Sequence, residues 1–355
     1  MTRDDRMMAS ALGSWQQLAP FAGLDPASFS GEELWRREDP GRVRIVMRMT
    51  GPDGRNLVFK RIFAPVDQAR WAEGLAGQRR AVRALRGDKV HAPAAILAED
   101  ASSLSTIQDY VVGRTLQDHL LLKYDKPDQR GALLTRAGAA LRAYHDSTAA
   151  GEKRFNPARM VDYMERLARK ALDGQLAIVD PDLFAVLVES LKAAAAAAEG
   201  APVMLAAQHG DLHARNMILS ANRATLIDFM HDKEAPAVYD LARLLVDLGA
   251  RFAGTRALDP RCGLPPEDLA ALSEGYGADM GADPCMAFLC RCRVLQDWAA
   301  LPSVGGQRSA FQQERLVQLQ RAATILAETL GIGGAVPGRT ARTRAAPSGA
   351  RRWQV

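Results

Sequence analysis

The chain has 355 residues, 48% hydrophobic and 25% charged, with a formal net charge of +5. These proportions belong to a globular protein with enough apolar material for two domains. No apolar run approaches the ~20 residues of a membrane-spanning helix. The N-terminal Met1 to Leu12 carries Arg and Asp in place of an apolar signal core, which points to the cytoplasm.

In chain order, an N-terminal helical extension is expected over 1–30. "LWRRED", before Pro40-Gly41, reads as a strand. "RVRIVMRMT" (Arg42 to Thr50) alternates apolar and basic residues, the period of a half-buried strand. The turn cluster "GPDG" joins it to a second strand, "RNLVFKRIF" (Arg55 to Phe63). In that strand Lys60 lies two residues from both Val58 and Ile62, so alternation turns it inward with them, and Arg61 the other way. A buried lysine is costly unless it is paired or bound to phosphate. A helix follows from Val66 to Gly87, then strands at "APAAILAED" and "LSTIQDYVV".

After Gly113 the pattern becomes helical. Amphipathic helices are read at "TLQDHLLLKY", "DQRGALLTRAGAALRAYHDS", "MVDYMERLARKAL" and "DLFAVLVESLKAAAAAAEG", with the alanine run as helix-forming surface. "PVMLAAQHGDL" and "RATLIDFM" are short strands, and "VYDLARLLVDLGARF" and "FQQERLVQLQRAATILAETLG" are further helices. The fold class is α+β with segregated halves, a β-rich part over 31–112 and a mostly helical part over 113–335, and ligands favour the crevice between such halves. Cys262, Cys285, Cys290 and Cys292 lack the spacing of a zinc site and are expected to be reduced, buried thiols. The segment 336–355 reads as a disordered basic tail. As a nucleic-acid arm it lacks the supporting interleaving of aromatic and basic residues.

The chemistry concentrates in "QHGDLHARNMIL" (Gln208 to Leu219). Asp211 and Asn216 are five residues apart, and Asp228 follows across the turn "SANRA". Two short strands flanking that turn would bring the three together. An amide and a carboxylate, Asn216 and Asp228, suit a hard cation such as Mg²⁺, and Asp211 is left to accept a proton from an attacking hydroxyl.

"HGDLHARN" followed by "LIDF" resembles the catalytic and metal-binding segments of the aminoglycoside phosphotransferases and their relatives, such as choline kinase. Their fold is that of the protein kinases, a bilobal fold with a β-rich N-lobe and a helical C-lobe. The resemblance implies transfer of the ATP γ-phosphate to a hydroxyl of a small molecule: a sugar, amino sugar, amino alcohol or aminoglycoside. It implies ATP and Mg²⁺ as cofactors, Asp211 as general base, and Asn216 and Asp228 as metal ligands. His209 would brace the loop, and Asp240, at the start of "VYDLARLL", would hold it through backbone hydrogen bonds. Lys60 would contact the α- and β-phosphates, and backbone groups from Gln108 to Tyr110 would hold the adenine.

Departures from the family pattern are visible. No Gly-rich motif precedes Lys60, since the first turn has only Gly41. The carboxylate that should pair with Lys60 is Glu73, or the position falls at the neutral Gln78. Met230 stands where protein kinases carry glycine, which fits a small-molecule kinase. His213, His231 and Asp232 are candidate substrate contacts. "CRCRVLQDW" either brings Arg291 and Arg293 to an anionic or sugar substrate or forms a solvated charged helix over buried Val294, Leu295 and Trp298. The basic net charge disfavours a polycationic aminoglycoside. The competing class is a non-catalytic nucleotide-binding or scaffold protein on the same fold.

Overall fold

The computed structural model describes residues 3–39, 41–123, 126–304 and 307–328; the basic segment 336–355 lies outside them. The chain opens with helix α1 (Arg3–Leu18). Strands β1 (Ser30–Asp39), β2 (Arg42–Thr50) and β3 (Asn56–Ala64) follow, then α2 (Gln68–Ala84), β4 (Ile96–Asp100) and β5 (Ser105–Asp109). The five strands form one antiparallel sheet in the order β1-β2-β3-β5-β4.

The alternation along β2 sorts its two faces. Ile45, Met47 and Met49 are buried with Leu57, Phe59 and Ile107 against Trp15 and Leu18 of α1. Each such side chain contributes about 1.5–3 kcal/mol by leaving water. The opposite face carries Arg44, Val46 and Arg48, with Val46 paired to Lys60 across the strands. Lys60 therefore points away from the α1 core, while Arg61 reaches α1 and donates to Ser10 Oγ at 2.9 Å.

The remainder is mostly helical: β6 (Arg114–Thr115), α3 (Leu116–Leu122), α4 (Pro127–Ser147), β7 (Gly151–Arg154), α5 (Ala158–Leu172), α6 (Pro181–Glu189), α7 (Leu191–Ala198), β8 (Pro202–Ala207), β9 (Met217–Leu219), β10 (Ala224–Leu226), β11 (Glu234–Pro236), α8 (Val238–Phe252), α9 (Pro266–Tyr276), α10 (Pro284–Ala299) and α11 (Ala310–Glu328). Two three-stranded sheets, β10-β9-β6 and β11-β8-β7, fasten the chain around the loop that follows β8. A second, larger core fills this part. The architecture is α+β, a protein-kinase-like bilobal fold. Among the described residues no helix is long and apolar enough to cross a membrane.

Several elements differ from expectation. The helix read over Val66 to Gly87 is shorter, because Asp67 caps its start by accepting from Arg70 N at 3.0 Å. The single helix read over 182–200 breaks at Ser190, whose hydroxyl turns back to Leu187 O at 2.5 Å. The alanine run is only half surface, since Ala194, Ala195 and Ala198 are buried. α10 is no solvated helix: Cys290, Arg291 and Cys292 are buried too, and Arg291 donates to Leu326 O at 3.1 Å. All four cysteines are free and buried.

One contact sets the position of α2. A Cβ on Gly74 would stand 2.8 Å from Phe229 O, and one on Gly77 would stand 2.3 Å from His231 O. The two glycines let the helix lie directly on the backbone that follows Asp228. Arg80, one turn on, pairs with Asp232 at 3.3 Å and Glu234 at 2.6 Å. Gly77→Ala gains helix propensity of about 1 kcal/mol but forces the helix off this segment. It is expected to lower the melting temperature by several degrees. Gly13→Ala in α1, where nothing lies within 4 Å, is expected to leave it unchanged or raise it. Calorimetry of the two variants checks the contrast.

Candidate active site

The loop after β8 enters the interior with its polar groups paired. His209 is fully buried; its Nε2 lies 2.8 Å from Ile227 O and its Nδ1 accepts from Asp211 N at 3.3 Å. These partners assign the neutral Nε2–H tautomer. Burial holds the His209 pKa below its ordinary value, against the pull of Asp240. The ring also stacks at 4.6 Å on Phe229, the residue after Asp228. His209 therefore joins the loop to the segment after β10 that carries Asp228. Gly210 turns the chain with φ +79°, and His231 packs where its side chain would be.

α8 binds this loop turn by turn. The helix is apolar on most of its surface, yet Asp240, Arg243, Asp247 and Arg251 recur at helical spacing on one face. Asp240 accepts from His209 N at 2.7 Å and Gly210 N at 3.0 Å. Burial works against its charge, but His145, His209 and these amides outweigh that and hold its carboxyl below the usual range. Arg243 donates to Asp211 Oδ1. Asp247 accepts from Ala214 N at 3.0 Å and pairs with Arg251 at 2.5 Å. The carboxylates satisfy amides that the loop cannot pair itself.

Asn216 ends the 3₁₀ turn Ala214–Asn216 and is buried. Its Nδ2 donates to Asp211 O at 2.9 Å, which leaves its Oδ1 as the acceptor available to a cation. Ile227 N donates to Asn216 O at 2.9 Å, so Asn216 and Asp228 are joined through one strand pair. Asp228 has left-handed backbone, φ +60°. Its carboxylate forms an ion pair with Lys60 from β3. Burial raises the Asp228 pKa, but Lys60, Arg44 and His209 together bring it below the ordinary value.

Among the described residues no three His, Cys, Asp or Glu side chains converge on a metal position. An amide oxygen and one carboxylate fit Mg²⁺, which keeps waters and takes phosphate oxygens for the rest of its shell. Asn216 and Asp228 meet that description.

The other expected residues divide. Glu73 does not reach Lys60: it pairs with Lys233 at 3.5 Å on the exposed side of α2. Gln78 is buried and donates to Ala94 O at 2.8 Å and Gln108 Oε1 at 3.2 Å. The partner of Lys60 is Asp228. Gln108 is paired in the sheet with Val58 on one side and Ile96 on the other. Tyr110, past the end of β5, begins the connection to Gly113. His213 Nε2 stands 3.8 Å from Asp211 Oδ2, and burial lowers its pKa. His231 lies against Gly210, whereas Asp232 is taken by Arg80. Arg44, Arg243 and Asp247 were not singled out in the sequence. The polar positions at helical spacing inside an otherwise apolar α8 were the available signal.

The profile of the phosphotransferase enzyme family (APH) matches residues 29–289. A search of curated protein sequences finds no match. Among solved structures, a choline/ethanolamine kinase family protein from Mesorhizobium loti superposes with a TM-score of 0.59 at 17% identity, covering 92% of this chain and 99% of that one. A fructosamine-3-kinase assignment from Thermobifida fusca YX-ER1 gives 0.52 at 18% identity, over 88% and 97%. A thermostable mutant of aminoglycoside phosphotransferase APH(4)-Ia, in a ternary complex with AMP-PNP and hygromycin B, gives 0.56 at 15% identity, over 90% and 99%. At these identities the superpositions establish the kinase-like fold.

His209 and His213 generate a pH dependence. Unfolded, each protonates near pH 6.5; folded, burial makes both bind the proton more weakly. The unfolded state therefore binds more protons below that value, and stability rises with pH there. Their contribution is complete above about pH 6.5 and is lost as pH falls toward the folded values. Denaturant titrations at pH 7, 6 and 5 should show falling stability, with a shallower fall in His209→Gln. An unchanged slope in that variant would remove His209 from the account.

Proposed function

Because the chain belongs to the phosphotransferase enzyme family, we propose that it transfers the γ-phosphoryl group of ATP to a hydroxyl of a small molecule. The observation that carries this reading is that Asp211 and Asn216 on one braced loop are joined through a strand pair to the segment of Asp228, with Lys60 reaching Asp228 from the opposite lobe. The relative holding AMP-PNP supports an adenine nucleotide. Tyr110 and the residues up to Gly113 are the hinge groups we assign to the base.

Asn216 Oδ1 and Asp228 would hold Mg²⁺, which when bound neutralises charge on the phosphate oxygens. Lys60 exchanges Asp228 for the α- and β-phosphates, so each member of the present ion pair gains a partner of opposite charge. Asp211 accepts the acceptor's hydroxyl proton as the oxygen attacks the γ-phosphorus. The new O–P bond forms, the bond to the β,γ-bridging oxygen breaks, and ADP leaves with that electron pair. Positioning and electrostatics supply most of the acceleration.

The second reading, a nucleotide-binding scaffold, is favoured by one observation: Lys60 lacks a carboxylate partner on α2, where Glu73 pairs elsewhere. Turnover separates the two readings. Asp211→Ala should retain nucleotide binding by thermal shift and lose turnover by roughly 10²–10⁴-fold, the usual contribution of a positioned base. Full activity in that variant would refute the assignment. Lys60→Met should raise the KM for ATP more than it lowers kcat.

A further inference from the structure

Beside the catalytic loop lies a cavity of about 150 Å³, walled by α5, α8, α10 and the chain around Gln208, Gly210 and His231. Its polar lining is Gln208, His231, Arg243, Arg293 and Gln296, with Asp240 at its back. Arg243 connects the cavity to Asp211, because its guanidinium both lines the wall and bonds the Asp211 carboxylate.

The charge balance of this wall is one-sided. Asp240 is spent on the amides of His209 and Gly210. Asp297 is shared, at 2.6 Å from Arg293 and 2.5 Å from Arg315. Arg243 has one hydrogen-bonded side-chain partner among the described residues, the proposed base itself. Arg293 Nε is buried without an acceptor, a costly arrangement when left unpaired, and His231 Nδ1 is buried without a partner. Burial also works against the charge of Arg293, with Asp297 opposing it and Arg243 adding to it.

An ammonium head group would need a free carboxylate or an aromatic cage. Among the described residues the lining offers no unspent carboxylate and one aromatic ring besides His231, that of Tyr239.

From these observations, and resting on the phosphotransfer reading above, we propose that the acceptor is a hydroxylated anion, its carboxylate or phosphate held in this cavity by Arg243 and Arg293. Arg243 then has a second role. The anion draws its guanidinium from Asp211, and the freed carboxylate turns to the hydroxyl that is phosphorylated. Acceptor binding thereby prepares the base, and ATP alone leaves Asp211 occupied. Arg293 is a specificity-determining residue and Arg243 a positioning one.

The test is ADP release with ATP and Mg²⁺ over four arms. Gluconate and glycerate form the carboxylate arm, and glycerol 3-phosphate and glucose 6-phosphate the phosphate arm. Glucose and glycerol are neutral, and glucosamine, choline and hygromycin B cationic. The expected result is turnover in one anionic arm with kcat/KM at least 100-fold above the neutral arm. Which anionic arm responds identifies the group. Arg293→Gln should raise the KM for that acceptor at least 10-fold with kcat changed less, while Arg293→Lys recovers part of it and the ADP-induced thermal shift persists in both. Arg243→Gln should lower kcat as well, and Arg243→Lys should recover part of it. Preferential turnover of the neutral or cationic arm, unaffected by Arg293→Gln, would overturn the anionic assignment and leave phosphotransfer standing. No transfer in any arm by a protein that binds ATP would overturn both.

Discussion

The Asp240 carboxylate accepts two consecutive backbone amides, from His209 and Gly210, inside the protein. The rest of the site depends on this interaction. A loop that carries polar side chains into an interior brings unpaired amides with it, and each costs free energy unless it finds a partner. Hydrogen bonds to a charged acceptor contribute about 1.5–3 kcal/mol each. With the loop's start pinned there, His209 can reach Ile227 and stack on Phe229, which sets the segment bearing Asp228. Asp247 repeats the arrangement one loop segment later at Ala214. α8 is thus a template: apolar where it meets the core, and polar along the face that orders the loop.

Charge in the cleft follows a common rule. Lys60 with Asp228 and Arg243 with Asp211 are two ion pairs, each joining a cation to a proposed functional carboxylate. Both are partly exposed, so each is worth little in stability. Groups held this way keep their charge and orientation at small cost to release. Phosphates and a cation would separate the first pair, and an anionic acceptor the second. The glycine-poor turn between β1 and β2 fits this economy, since Arg44 stands on the cleft face close enough to Asp228 and Asp211 for its charge to act on both.

How much of this was legible in the sequence depends on whether a signal was local. Asp211, Asn216 and Asp228 were readable because their spacing is short and a single turn joins them. Period-2 alternation put Lys60 and Arg61 on opposite faces of β3, and the structure has Arg61 at α1 and Lys60 at Asp228, away from the face that Leu57 and Phe59 bury. The partner of Lys60 was not readable, because helix phase and the lie of α2 decide it, and two glycines contacting Phe229 and His231 set that lie. Gln108 falls inside β5, because strand pairing on both sides carries the ladder to the end of that strand. The stripe on α8 was half seen. Asp240 stood out at the helix start, but Arg243 and Asp247 gain meaning only once the loop is known to lie on them. Strands as short as β6, β7 and β11 leave no periodicity to read.

Amide hydrogen exchange at His209 and Gly210, in the wild type and in Asp240→Asn, tests the central claim most directly. The account predicts protection of both amides close to that of the buried strand β9 in the wild type. In the variant it predicts exchange accelerated at least 100-fold, with β2 and β3 unchanged. Exchange in the wild type as fast as that of an exposed turn such as Gly51 to Gly54 would contradict it, and the ordering of the loop would then have to come from elsewhere.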